Sequence, residues 1–179
     1  MRKTTVYITI AIVLVVLYFL KNKTRTEMST TAPVVRPDAN DLQAAFTRLK
    51  NNYGVEFAKK IEQIFRLETG HFESGQFKEG NSPGMVARKS TYPFGWSSLD
   101  EFALANSIDG HKFGIGRTFV VDGKNFRYVT FPDFKTSADF VAWFIRNKRG
   151  GVPEKWNSLD AAAAARYKNK LNQIRTQYT

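Results

Sequence analysis

Cysteine is absent from the 179 residues, so the chain has neither a disulfide framework nor a cysteine-held metal site. Histidine is scarce too. His71 and His111 stand forty residues apart with no carboxylate pattern around them, which argues against a histidine metal centre. No metal or cofactor is expected. After position 40 there is no long basic run: "ARKS" and "RNKRGG" are short and read as solvated turns, so nucleic acid is not an expected partner. Gly114-Ile115-Gly116 lacks the strand–turn–helix setting of a nucleotide fingerprint.

Acidic residues are outnumbered, 16 against 27 Lys and Arg, for a net charge of +11. Six of the basic and two of the acidic residues precede position 41, leaving 21 against 14, a charge of +7, on residues 41–179. Such a balance suits an anionic partner such as a membrane surface or a wall polymer, and equally suits ordinary solubility.

One long apolar run does occur. "TTVYITIAIVLVVLYFL", Thr4 to Leu20, has seventeen residues without a charge. As a helix it would be about 25 Å long, near the lower limit for a bilayer core of about 30 Å. Tyr7 and Tyr18 lie near its ends, and Arg2, Lys3, Lys21, Lys23 and Arg25 flank it. This predicts a transmembrane anchor within residues 1–20. A cleaved signal peptide is the competing reading, disfavoured by basic residues directly behind the run and by the lack of a small-x-small site there. Three basic residues follow the span and two precede it, a one-residue difference that slightly favours a cytoplasmic C-terminal part. Residues 21–40, rich in Thr and Pro and without a hydrophobic period, read as a flexible linker, and 41–179 as one domain.

Within that domain Asp41 is the predicted cap of a first helix ending at Gly54, with Leu42, Ala45, Phe46 and Leu49 on one face. A second helix is predicted over Val55–Thr69, with Glu56–Lys60 and Glu62–Arg66 as solvated i,i+4 pairs. Residues 70–96 read as loop. Ser98 with Glu101 predicts a short capped helix, and Asp122-Gly123 a hairpin turn. Thr136 or Ser137 starts another helix, and Ser158 caps a last, alanine-rich one. The order predicts a mostly helical α+β fold with a small β-hairpin lobe.

The second helix holds an oddity. Ile61, Ile64 and Phe65 make a buried stripe whose next position is Glu68, followed by Gly70. Ile64 and Phe65 lie behind that acid, His71 and Phe72 ahead. An apolar setting disfavours an ionised carboxylate and makes it a usable proton donor near neutrality. The competing reading pairs Glu68 with a base from elsewhere or leaves it exposed at a frayed end.

"LETGHFESGQFKEGNSPGM" (Leu67 to Met85) resembles the glucosaminidase domain of bacterial and phage peptidoglycan hydrolases, within the lysozyme-like superfamily. In that family a helix ends in Glu-Ser/Thr-Gly, an aromatic follows, and then a loop of the form Asn-Asn-Leu-Phe-Gly-Ile/Met. Glu68-Thr69-Gly70 matches the first element, with Phe72 and Phe77 nearby; Asn81-Ser82-Pro83-Gly84-Met85 matches the loop with Ser for the second Asn and Pro for Leu-Phe. "FRYVTFPDFKTSADFVAWF" is similar to the family's strand-into-helix segment, and "RYKNKLNQIRTQY" to its closing Tyr-x-x-Lys-Leu helix. The resemblance spans Val55 to Tyr178.

What it implies is a glycosidase acting on the β-1,4 glycan of peptidoglycan, with Glu68 as general acid and Phe72, Asn81 and Trp96 in the substrate cleft. It also implies a tyrosine from the strand, for which Tyr128 is the nearest match and Phe131 the competitor for the same place. A second carboxylate, where the family has one, would come from Asp100, Glu101, Asp109 or Asp122; Glu101 and Asp122 have capping and turn explanations of their own. The substrate's acetamido group is the alternative. Glu73 is a fallback acid. A bacterial envelope protein and a virion-associated lysin fit this layout equally; the alternative, which the altered loop and the lack of a clear second carboxylate keep open, is a non-catalytic wall-binding or structural membrane protein of the same fold.

Overall fold

The computed structural model describes residues 34–85, 92–108, 113–121 and 123–179, with the side chains of 92–97, 117 and 121 outside the description. The predicted span at 4–20, most of the linker, and Asp109 and Asp122 lie outside the described residues. Among the described residues no helix is long and apolar enough to cross a membrane.

Helix α1, Ala39–Tyr53, starts two residues ahead of Asp41. Asp38 is the cap: its Oδ1 accepts the N–H groups of Asn40 (2.7 Å) and Asp41 (2.9 Å), while Asp41 Oδ2 accepts the Asp38 N–H (3.0 Å). Asp41 therefore closes a capping box instead of opening the helix. Leu42, Ala45, Phe46 and Leu49 are buried as their spacing predicts. Helix α2 is Val55–Glu68, and Ile61, Ile64 and Phe65 have no exposed surface.

The segment expected to be loop holds a six-residue helix, α3 (Gly75–Gly80), and the start of α4 (Tyr92–Ala105). Ser98 is buried inside α4, not at its cap. Strands β1 (Gly114–Val121) and β2 (Lys124–Thr130) form an antiparallel hairpin with an irregularity between Ile115 and Thr118. It packs closely on α3. A Cβ at Gly80 would stand 2.6 Å from Thr130 Cγ2, so only glycine fits there.

Helix α5, Phe134–Lys148, is capped by Asp133, whose Oδ1 accepts the Thr136 N–H at 2.6 Å. After a 3₁₀ turn at Pro153–Lys155 comes α6, Ala161–Asn172, capped by Asp160 through the Ala163 N–H (2.7 Å). In both helices an aspartate takes the place predicted for Ser or Thr. A carboxylate also gains from the positive end of the helix dipole, which a hydroxyl does not. Ser137, freed from capping, is buried and donates its hydroxyl to the Asn81 carbonyl at 2.6 Å.

The core is aromatic. The rings of Phe46, Phe65, Phe72, Phe77 and Phe134 interlock, with Phe65–Phe134 centroids 5.0 Å apart in an edge contact and Phe72–Phe77 at 5.3 Å. Phe131 and Phe140 (5.5 Å) extend it towards Phe102 and Phe113. Each such burial contributes about 2–3 kcal/mol, and well-set ring pairs about 1 kcal/mol more.

Of the pairs predicted on α2, Glu56–Lys60 does not form, and Glu62–Arg66 forms but is buried. Lys60 turns to Asn172 Oδ1 (2.7 Å), and Glu56 makes no ion pair among the described residues. Glu62 is fully buried. Besides Arg66 (2.7 Å) it accepts the N–H groups of Gln177 (2.6 Å) and Tyr178 (3.0 Å) and the Thr179 hydroxyl (2.9 Å). The tail after α6 covers the face of α2 that reads as open, and Tyr178 stacks on Phe46 at 5.8 Å. The fold is thus mostly helical α+β with a small hairpin.

Candidate active site

Glu68 is the last residue of α2, and the three residues after Thr69 reverse the chain in left-handed conformation: Gly70 (φ 56°), His71 (φ 57°) and Phe72 (φ 71°). For His71 and Phe72 this costs about 1–2 kcal/mol each. Thr69 holds the reversal. Its fully buried hydroxyl donates to the Phe65 carbonyl and accepts the Phe72 N–H at 2.9 Å, while the His71 N–H reaches the Arg66 carbonyl at 2.7 Å. The Glu-Thr-Gly element is therefore an acid, a buried pivot and the start of a left-handed turn.

The surroundings of the carboxylate are more polar than its stripe predicts. Tyr167 of α6 donates its hydroxyl to Glu68 Oε1 at 2.6 Å, and Asn157, in the turn before α6, donates its amide to the same oxygen at 2.9 Å. The other oxygen, Oε2, lies beside Gly84, where an added Cβ would stand 3.5 Å away. Gln76 of α3 donates to the Glu68 backbone carbonyl at 3.2 Å. The side chain is half-buried and, among the described residues, pairs with no cation. Burial, the Glu68 charge and the hydrogen bond to it push the Tyr167 hydroxyl far above the usual tyrosine range, so it stays a proton donor.

The other predicted site residues are placed differently. The tyrosine at Glu68 is Tyr167, not Tyr128; Tyr128 lies half-buried on β2 with its ring against Phe119 (5.7 Å). Phe131, its competitor, is fully buried in the core. Phe72 offers no platform to a sugar, because its left-handed backbone turns the ring into the aromatic cluster under the Arg66 guanidinium (5.1 Å). Asn81 is no cleft residue either. It is fully buried at the left-handed end of α3, its amide donating to the carbonyls of Val35 (3.1 Å) and Phe131 (3.4 Å). Trp96 belongs to α4, and its side chain lies outside the described residues.

Glu73 is exposed and salt-bridged to Lys78 at 2.5 Å, whose hydrogen bond and charge hold its carboxyl below the ordinary range. That makes it a poor proton donor. Of the candidate second carboxylates, Glu101 is exposed and bound to Lys148 (2.5 Å), and Asp100 is exposed on α4.

Tyr167 was visible in the sequence as the Tyr of "RYKNKL", but nothing there tied it to Glu68. Asn157 gives no signal: one polar residue in a turn belongs to no pattern. Comparison with protein-family models, with curated proteins and with solved structures yields no match to this chain.

Proposed function

We propose that the chain is a peptidoglycan-degrading glycosidase of lysozyme-like fold, with Glu68 as general acid and residues 4–20 as its membrane anchor. The observation that carries this reading is the setting of Glu68. A half-buried carboxyl group ends a core helix, two neutral donors grip one oxygen, and no cation among the described residues pairs with it. A cation paired with a carboxyl group favours its ionised form and so opposes proton donation.

In the proposed reaction Glu68 gives its proton to the glycosidic oxygen of the β-1,4 link. The bond's electron pair leaves with that oxygen, and the sugar ring takes up oxocarbenium-like character. Capture of that cation by water, directly or after the substrate's acetamido group has closed on it, with the water's proton passing back to the Glu68 carboxylate, completes hydrolysis. Capture by a hydroxyl of the sugar itself would make the enzyme a lytic transglycosylase. Glu68 acts identically at the first step in each. The linker lets the domain reach the wall, whether from a cell envelope or from the membrane of a virion. The partners are then peptidoglycan glycan strands and a lipid bilayer.

A second reading has one observation in its favour: Asn81 and Ser82, where the resemblance places a substrate loop, have no exposed surface. A non-catalytic wall-binding or structural membrane protein on the same fold needs no such loop. Zymography of the full-length chain in a gel containing purified peptidoglycan separates the two. A cleared band that Glu68→Gln abolishes supports the glycosidase; no clearing by the wild type supports the binding protein.

A further inference from the structure

We infer that Asn157 and Tyr167 are positioning residues that decide which oxygen of Glu68 carries the acid proton: both donate to Oε1, leaving Oε2, beside Gly84, to hold it. The inference rests on the reading of Glu68 as general acid.

A carboxylic acid has one carbonyl oxygen, which only accepts, and one hydroxyl oxygen, which donates and is the weaker acceptor. At Oε1 two donors arrive, the phenol at 2.6 Å and the amide at 2.9 Å, and a proton there would oppose both. With the proton on Oε2 both bonds survive. The Tyr167 hydroxyl keeps its own proton, since its burial and the neighbouring Glu68 both resist ionisation. Among the described residues, the groups in contact with Glu68 are neutral: α6 contributes Tyr167, the turn before it Asn157, α3 the Gln76 amide to the backbone, and the loop Gly84.

The geometry at Gly84 has the same sense. Its φ of +82° suits glycine, and a side chain there would contact both Oε2 and the Glu68 Cβ at 3.5 Å. Gly84 itself puts no side chain over Oε2. The glycosidic oxygen therefore approaches on the Gly84 side, and the grip on Oε1 removes the half of proton positions that point away from it. Asn157 is exposed, so replacing it leaves the core untouched.

The test uses the full-length chain and two readouts. The first is the infrared band of the protonated Glu68 carboxyl, isolated as the difference between wild type and Glu68→Gln at acidic pH. A carbonyl that accepts two hydrogen bonds absorbs at lower wavenumber than one that accepts one. Asn157→Ala and Tyr167→Phe should each move the band up, and the double variant further. An unmoved band in both single variants overturns the inference. The second readout is turnover on soluble glycan fragments. Asn157→Ala should lower kcat about tenfold, roughly one hydrogen bond's worth, with KM nearly unchanged. A raised KM with kcat intact overturns it by making Asn157 a substrate contact. The infrared result does not depend on activity, so a wild type that cleaves nothing sinks the glycosidase reading while the band still reports on the proton.

Discussion

The Tyr167 hydroxyl and the Glu68 carboxylate meet at 2.6 Å although 99 residues separate them, and their bond joins the last helix to the end of the helix that carries the candidate acid. Tyr167→Phe keeps the buried ring and removes the donor. Stability should fall by about 1–2 kcal/mol in urea unfolding. If Glu68 is the acid, activity should fall through kcat more than through KM.

Thr69 is the second point of control. Thr69→Val preserves shape but strands the Phe72 N–H and releases the Phe65 carbonyl, both within the buried turn. A loss of about 1–3 kcal/mol is expected. Because that turn follows directly on Glu68, activity should drop further than the folded fraction does. Comparing the two by circular dichroism and wall clearing checks this.

Glu62 sits away from the site and tests the fold alone. Glu62→Ala leaves the Arg66 guanidinium buried without its partner and the N–H groups of Gln177 and Tyr178 without their acceptor. Breaking such a pair costs about 3–5 kcal/mol. Hydrogen exchange at residues 177 and 178 should speed up in the variant. Unchanged exchange there would mean that Glu62 does not hold the tail.

Glu73 gives a pH prediction. Its folded-state titration is depressed below the ordinary 4.5 by Lys78, and to a smaller extent by Arg36. The unfolded chain therefore takes up a proton at higher pH than the folded one does. The pair's contribution is present in full above 4.5 and is lost as pH falls through the lower, folded value. Exposure keeps the contribution small. Lys78→Ala should bring the Glu73 titration, followed by carbon NMR of its carboxyl, back towards 4.5.

The stripe Ile61–Ile64–Phe65 located both the helix and the residue that ends it, because a buried face must repeat every three to four positions. The hairpin was equally plain from two β-rich runs around Asp122-Gly123. Caps were found only to within a few residues: at α5 and α6 an Asp lies close to the predicted Ser or Thr and the choice between them is electrostatic, and at α1 two aspartates three apart share a capping box. What sequence could not supply was long-range pairing. Glu62 looks like a solvated i,i+4 partner of Arg66 until the tail, more than a hundred residues later, folds over it. Phe72 and Asn81 were expected in a cleft on the resemblance alone, and the left-handed backbone that buries them leaves no hydrophobic period to say otherwise. The resemblance pointed to Tyr128 on a strand, whereas the tyrosine that meets Glu68 is Tyr167 on a helix, because one-dimensional spacing does not say which segments meet.

The most direct measurement of the central claim is clearing of purified peptidoglycan by the full-length chain and by Glu68→Gln at equal folded concentration, with the products identified by mass spectrometry. The account predicts glycan fragments cut at the β-1,4 link by the wild type and none by the variant, with the variant's thermal stability within a few degrees of wild type. Fragments released equally by the variant would contradict it.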